Sequence, residues 1–341
     1  MKRRIAYLDF LRCLAIGLVI VLHVMVPFVG NMGLYGKTSW FFCLAMNTLN
    51  RTGVPLFFMI SGYLHLNSGG SVDVGRFYRR NIPKLLVPLC VWTLIYSLYS
   101  AWHGGTGFRV ADYLAALLNN GSAYHMWFVY TMLGMYLLIP FLKRIVDGCT
   151  RKQLWLLLGI VLFPTTLRPM VNVSLPVYLY LFEPLVEGYV GYLLFGYLLA
   201  TAKLSRRARL LVYAGGVFGY GWGTFGNLLT ASAESIPLPF NLGYSVNHYL
   251  CAGAIFVFVR AVFERHESFL APAGPVLAGA SDLVFGVYWV HVLVLSVVND
   301  VVLADLTVME LVAVQTVLTA VVSFGFAWVV SKVPGLRRAL M

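Results

Sequence analysis

Tyr7-Leu-Asp-Phe-Leu-Arg12-Cys-Leu-Ala-Ile-Gly-Leu-Val-Ile-Val-Leu-His23 is the stretch that decides the fold class. It belongs to an apolar run of bilayer length, yet it carries an arginine and a histidine eleven residues apart. Eleven residues make about three helical turns, so both side chains leave one face, roughly 16 Å apart along the axis. A charged side chain inside a bilayer-length helix costs at least ~2.5 kcal/mol, so it belongs against the protein interior or a wet cavity. Two ionisable groups at different depths on one face predict a polar shaft inside an all-α integral membrane protein.

Composition extends that reading to the whole chain. The 341 residues are 60% hydrophobic and 11% charged, against roughly 25% charged in soluble domains. Apolar runs at about 5–28, 40–66, 82–102, 126–142, 153–168, 185–202, 210–229, 244–263, 283–303 and 308–330 predict ten transmembrane helices in a single domain over 1–341. Of 25 lysines and arginines, only Lys37, Arg109 and Arg168 then fall in outer loops, and Arg12 and Arg51 within spans. The others crowd the inner segments, as the positive-inside rule requires of a chain with both termini in the cytoplasm.

The net charge of +12 therefore implies attraction to anionic lipid headgroups rather than to nucleic acid. The densest basic stretch is Asp73-Val-Gly-Arg-Phe-Tyr-Arg-Arg-Asn-Ile-Pro-Lys84. It reads either as an interfacial anchor or as a dock for the phosphates of a cytosolic donor through Arg79, Arg80 and Lys84. The five cysteines are odd in number, scattered and without metal-ligand spacing, so they read as packing residues. The first span has no small-residue cleavage site and is expected to stay attached. No internal repeat is visible, which counts against a transporter built from duplicated halves.

Polar residues inside the spans are the candidate site. Asp9 lies three residues before Arg12, so the two can pair on one helix face, and a purely structural ion pair is the alternative to a functional Arg12. Arg51, in Asn47-Thr-Leu-Asn-Arg51-Thr-Gly-Val-Pro55, is either a substrate contact with Asn50 or a hydrogen-bond hub that pins helices. Counted from helix ends, Arg51 and His23 both fall in the outer half. His291 is expected roughly 12 Å above the inner end of its span, near Arg12. His125 is expected at the outer face beside Tyr124 and Trp127, so the two histidines should differ in depth. His65 and His248 read as span-end residues. Glu183 and Glu187 share a face at the outer end of the sixth span, as a solvated helix start or as contacts to a hydroxylated acceptor.

Asp9-Phe-Leu-Arg12 with His23 after ten residues, then Val54-Pro-Leu-Phe-Phe-Met-Ile-Ser-Gly-Tyr63, resembles the start of the acyltransferase-3 family of integral membrane acyltransferases. His125-Met-Trp127-Phe with Tyr136-Leu-Leu-Ile-Pro140 resembles that family's fourth helix. Ser281-Asp-Leu-Val-Phe-Gly-Val-Tyr288-Trp-Val-His291 resembles its late serine–tyrosine–histidine segment. The likeness runs along nearly the whole chain and is nearest to the subgroup that O-acetylates surface polysaccharides such as enterobacterial common antigen. Cys13 departs from the glycine that usually follows the arginine. The extracytoplasmic esterase-like domain of many relatives is not expected, so the membrane domain should deliver the acyl group itself or pass it to a separate protein.

The resemblance implies a multi-pass enzyme of the bacterial inner membrane. It would move an acyl group, as an O-acetyltransferase, from cytosolic acetyl-CoA or another acyl-CoA to a hydroxyl of an envelope glycan or lipid-linked sugar, without a metal. Histidine, with an ordinary pKa near ~6.5, suits removal of the hydroxyl proton, which makes His23 the expected general base. Arginine suits a donor phosphate or an oxyanion, which makes Arg12 its expected partner. Arg51, Asn50, His125, Trp127, Tyr288, His291, Glu183 and Glu187 are expected to contact substrate. On physics alone a secondary transporter or lipid-linked-sugar flippase would use the same shaft, and so would an acyltransferase-like sensor.

Overall fold

The computed structural model describes residues 4–29, 36–70, 72–119, 121–174, 188–230, 240–301 and 306–341, with backbone alone for 165–174 and 230. Among the described residues the chain is helical, without strands. The first helices are α1 (Ala6–Val29), α2 (Lys37–Asn50), α3 (Gly53–Leu66), α4 (Val74–Asn81), α5 (Pro83–His103) and α6 (Val110–Leu118). A short 3₁₀ turn over Tyr124–Met126 leads into α7 (Trp127–Gly148) and α8 (Arg151–Ser174). There follow α9 (Val190–Thr201), α10 (Arg206–Thr230), α11 (Val246–Arg265), α12 (Gly274–Val301), α13 (Val308–Ser331) and α14 (Pro334–Leu340).

Among the described residues, six helical stretches are long and apolar enough to cross a bilayer: Ala6–Val29, Val74–His103, Tyr124–Gly148, Val246–Arg265, Glu267–Val301 and Val308–Ser331. The chain is a multi-pass membrane protein. α10 is 25 residues long, and its Leu211, Val217, Phe218, Phe225 and Leu229 are all more than half exposed. Such an apolar surface suits lipid and not water. The expected span at 185–202 is described only from residue 188 onward, as α9.

The expected second span, 40–66, is not one helix but two, α2 and α3, of 14 residues each. The cause is local. Pro55 has no N–H to offer the Arg51 carbonyl four residues back, and its ring crowds that carbonyl. The chain turns at Arg51 and Thr52 instead, where the Thr52 hydroxyl donates to the Leu49 carbonyl at 2.7 Å. Arg51 therefore sits at a helix break inside the protein, not along a continuous helix face.

The chain divides into two compact units. The first comprises Met1–Gly69, Val146–Ser281 and Asp305–Thr316. Here α3 crosses α9 backbone against backbone: a β-carbon on Gly62 would overlap the Leu193 carbonyl, and one on Gly196 the Met59 backbone. Small residues at helix crossings allow this approach inside membranes. Tyr192 stacks on Tyr249 at 3.7 Å between α9 and α11. The second unit comprises Gly70–Ile145, Asp282–Ala304 and Val317–Met341. In it the Trp92 indole donates to the Leu340 carbonyl at 3.0 Å, tying α14 to α5. The Asp73 side chain caps α4 through the Arg76 backbone N–H at 2.9 Å. That bond holds the Asp73 carboxyl below its ordinary range.

Candidate functional site

α1 carries Arg12 and His23 on one continuous helix. Asp9, one turn before Arg12, is 3% exposed. A carboxylate so enclosed requires charge compensation, and two arginines supply it. Arg4 donates through Nε to Asp9 Oδ2 at 2.8 Å and through Nη2 to Oδ1 at 3.2 Å. Its Nη2 also reaches the Ala278 carbonyl at 2.7 Å. Arg12 donates through Nη1 to Asp9 Oδ1 at 3.4 Å and to the Ser281 hydroxyl at 3.3 Å. The Asp9–Arg12 pair expected from the i,i+3 spacing is present, but the shorter bond to Asp9 belongs to Arg4.

Arg12 keeps much of its fork uncommitted. Its side chain is 32% exposed, and among the described residues only Nη1 is engaged. A guanidinium presents five N–H donors. Nε and Nη2 therefore stay available to an anion or a carbonyl oxygen, while Asp9 and Ser281 fix the plane from the other side. His23, three turns further along the helix, is half-buried.

Arg51 anchors a second polar cluster in the same unit, built around the turn at 240–245. Its Nη1 donates to the Asn241 carbonyl at 2.9 Å. The Asn241 side-chain oxygen accepts from Asn47 at 3.1 Å and from Asn227 at 3.2 Å. His248 lies 2.9 Å through Nδ1 from the Leu242 carbonyl, so that nitrogen carries the proton. Asn50 donates to the Met25 sulfur at 3.6 Å, which sets the helix break level with the second half of α1. Arg51 thus ties the helix break to the 240–245 turn, and Asn47 and Asn227 join their own helices to the same turn. Arg51 does so without a carboxylate partner among the described residues, and its Nε is enclosed with no acceptor. His248, read as a span-end residue, is fully buried at the start of α11. The asparagines at 227, 241 and 247 escaped the sequence reading. For Asn227 and Asn247 the signal was available, since an amide in an apolar span needs a partner.

The second unit holds a histidine pair. The rings of His125 and His291 lie 5.1 Å apart, edge to face. This corrects the expected separation in depth. That expectation counted depth from residue 283, whereas α12 already runs from Gly274, so the edge of the apolar run does not mark the end of the helix. The Tyr288 hydroxyl donates to the His125 carbonyl at 2.8 Å, and His291 Nδ1 lies 2.6 Å from the Tyr288 carbonyl. Because a carbonyl only accepts, Nδ1 is the protonated nitrogen and Nε2 presents the lone pair. Tyr96 packs on His125 at 5.4 Å, with its hydroxyl on the Trp289 carbonyl at 2.8 Å. Trp127 is half-buried and contacts Phe128 at 6.4 Å.

Arg79, Arg80 and Lys84 are exposed at α4 and the start of α5. Phe77 and Tyr78 hold α4 against α7, Phe77 through Tyr136 at 6.0 Å and Tyr78 through the Leu137 carbonyl at 2.7 Å. Glu183 and Glu187 lie outside the described residues. Among the described residues no cluster of histidine, cysteine and carboxylate side chains is arranged to hold a metal ion.

Comparison with protein families gives a match over nearly the whole chain. The acyltransferase domain of the acyltransferase-3 type covers residues 5–332, which takes in every side chain above except Arg4. No curated protein and no solved structure matches the chain significantly.

Proposed function

Because the chain belongs to the acyltransferase-3 family and is a multi-pass membrane acyltransferase, we propose that it transfers an acetyl group from cytosolic acetyl-CoA to a hydroxyl of a cell-envelope glycan. The observation that carries this reading is the half-used fork of Arg12, braced by Asp9 and Ser281 and exposed on its remaining edge. An arginine serving structure alone would spend its donors on protein acceptors. This one keeps a planar donor edge free for an acceptor oxygen of the donor arm.

The proposed roles follow from spacing along α1. His23 takes the proton of the acceptor hydroxyl as that oxygen attacks the thioester carbonyl. The tetrahedral intermediate collapses, the carbon–sulfur bond breaks and CoA leaves as the thiol after protonation. Arg12 lies roughly 16 Å away along the axis, too far to touch the same atoms, so it positions the donor arm. Arg79, Arg80 and Lys84 receive the donor phosphates. Arg51 with Asn50, and His125, Trp127, Tyr288 and His291, are proposed as acceptor contacts, with Glu183 and Glu187 in the same role. The proposed topology is ten crossings of a bacterial inner membrane with both termini in the cytoplasm, acting as one functional domain.

The test is transfer from radiolabelled acetyl-CoA by purified protein in membranes containing an envelope glycan fraction. His23→Ala should lose about 10²–10⁴-fold in turnover while still binding acetyl-CoA. Neutralising Arg79, Arg80 and Lys84 together should weaken donor binding more than turnover of bound donor. Wild-type turnover in folded His23→Ala removes the base from the scheme, and unchanged donor affinity in the triple variant removes the phosphate site.

A further inference from the structure

A cleft of about 600 Å³ opens where the start of α10 meets the end of α11. Its walls are two matching helical faces. Arg206, Arg209, Leu210 and Tyr213 follow one another at i, i+3, i+4 and i+7 on α10, and Phe258, Ala261, Val262 and Arg265 do so on α11. Residues at these intervals share one side of a helix. The rim is basic, from Arg206, Arg209, Arg265 and His266, and the floor is apolar. Tyr213 meets Phe258 at 6.0 Å on that floor.

Two features identify what fits there. First, none of the four rim side chains makes an ion pair or side-chain hydrogen bond among the described residues. The nearby Glu264 pairs instead with Arg260 at 2.7 Å. Three arginines gathered without a counter-charge favour an anion, and the first turn of a 25-residue helix adds its own positive end. Second, Leu210 and Phe258 are each 56% exposed. They continue the lipid-facing surface of α10, so the floor opens sideways to lipid. A soluble phosphate compound would make no use of that apolar floor.

We infer that this cleft is a binding site for an anionic phospholipid, with the phosphate among Arg206, Arg209 and Arg265 and the acyl chains along Leu210, Tyr213 and Phe258. Its lining includes neither Arg12 nor Arg51, and it stands or falls independently of the acyl-transfer reading. Basic pockets between transmembrane helices hold lipid headgroups in this way.

Native mass spectrometry of the full-length protein, delipidated and titrated with phosphatidylglycerol or phosphatidylcholine, tests it. The wild type should retain phosphatidylglycerol preferentially. R206Q/R209Q/R265Q should reduce that retention about a hundredfold, since each basic group near a membrane surface is worth roughly fivefold. R337Q/R338Q, which removes charge from α14, should leave it unchanged. Phe258→Ala should weaken both lipids, and the single variant R209Q serves where the triple fails to fold. Equal retention by the rim variants and the wild type overturns the site, as does an equal loss in R337Q/R338Q. Displacement of the lipid by glycerol 3-phosphate or free CoA at comparable concentration overturns the lipid assignment in favour of a soluble anion.

Discussion

Asp9→Asn is the sharpest perturbation of the arginine cluster. The Asp9 side chain is 4% exposed, with Arg4 at 2.8 Å and Arg12 at 3.4 Å. Deleting one member of a fully buried ion pair costs ~3–5 kcal/mol. That figure is an upper bound, because Arg4 and Arg12 are 45% and 32% exposed and can turn toward water. Screening of such partners, together with the one hydrogen bond that asparagine still accepts, brings the expected loss to about 1–2 kcal/mol. The functional loss should exceed the structural one. Without the carboxylate, Arg12 keeps only Ser281 to set its plane, and a misplaced guanidinium should lower kcat/KM by about tenfold, near 1.4 kcal/mol. Arg4→Ala is the matched control: it leaves Arg12 as the counter-charge and should cost about 1 kcal/mol of stability with little change in turnover. The readouts are the melting temperature in detergent and acetyl transfer per folded molecule. Wild-type turnover in Asp9→Asn would refute the positioning role. A larger catalytic defect in Arg4→Ala than in Asp9→Asn would assign that role to Arg4.

Gly62→Leu should destabilise the first unit by about 1–3 kcal/mol or prevent folding, because any β-carbon there meets the Leu193 carbonyl. Gly134→Ala, where the space is open, should melt like the wild type, and equal melting of both variants would refute the close crossing. For topology, reporter fusions at residues 234 and 341 should report opposite compartments, and same-side signals would sink the ten-crossing arrangement.

The sequence by itself determined the class of environment. Transfer of side chains into a bilayer is nearly additive along the chain, so apolar runs and basic loops disclose a membrane protein residue by residue. Local spacing was legible for the same reason. Asp9 and Arg12 are one turn apart on one helix, and their contact follows from helical geometry. Pro55 also carried its consequence in plain view, although the hydropathy of 40–66 hid the break at Arg51. What only the tertiary structure decided is which distant residues meet. Arg4 precedes α1 and reaches Asp9 through the bend of the chain and not through helical spacing. His125 and His291 lie 5.1 Å apart although they sit on separate elements far apart in sequence. The Asn241 turn gathers Asn47, Arg51 and Asn227 from elements far apart in sequence. Such encounters depend on helix register and crossing, where one turn of slip moves a side chain by about 5.4 Å. No local pattern encodes that. It is set by how helices interlock, glycine against carbonyl at Gly62 and Leu193.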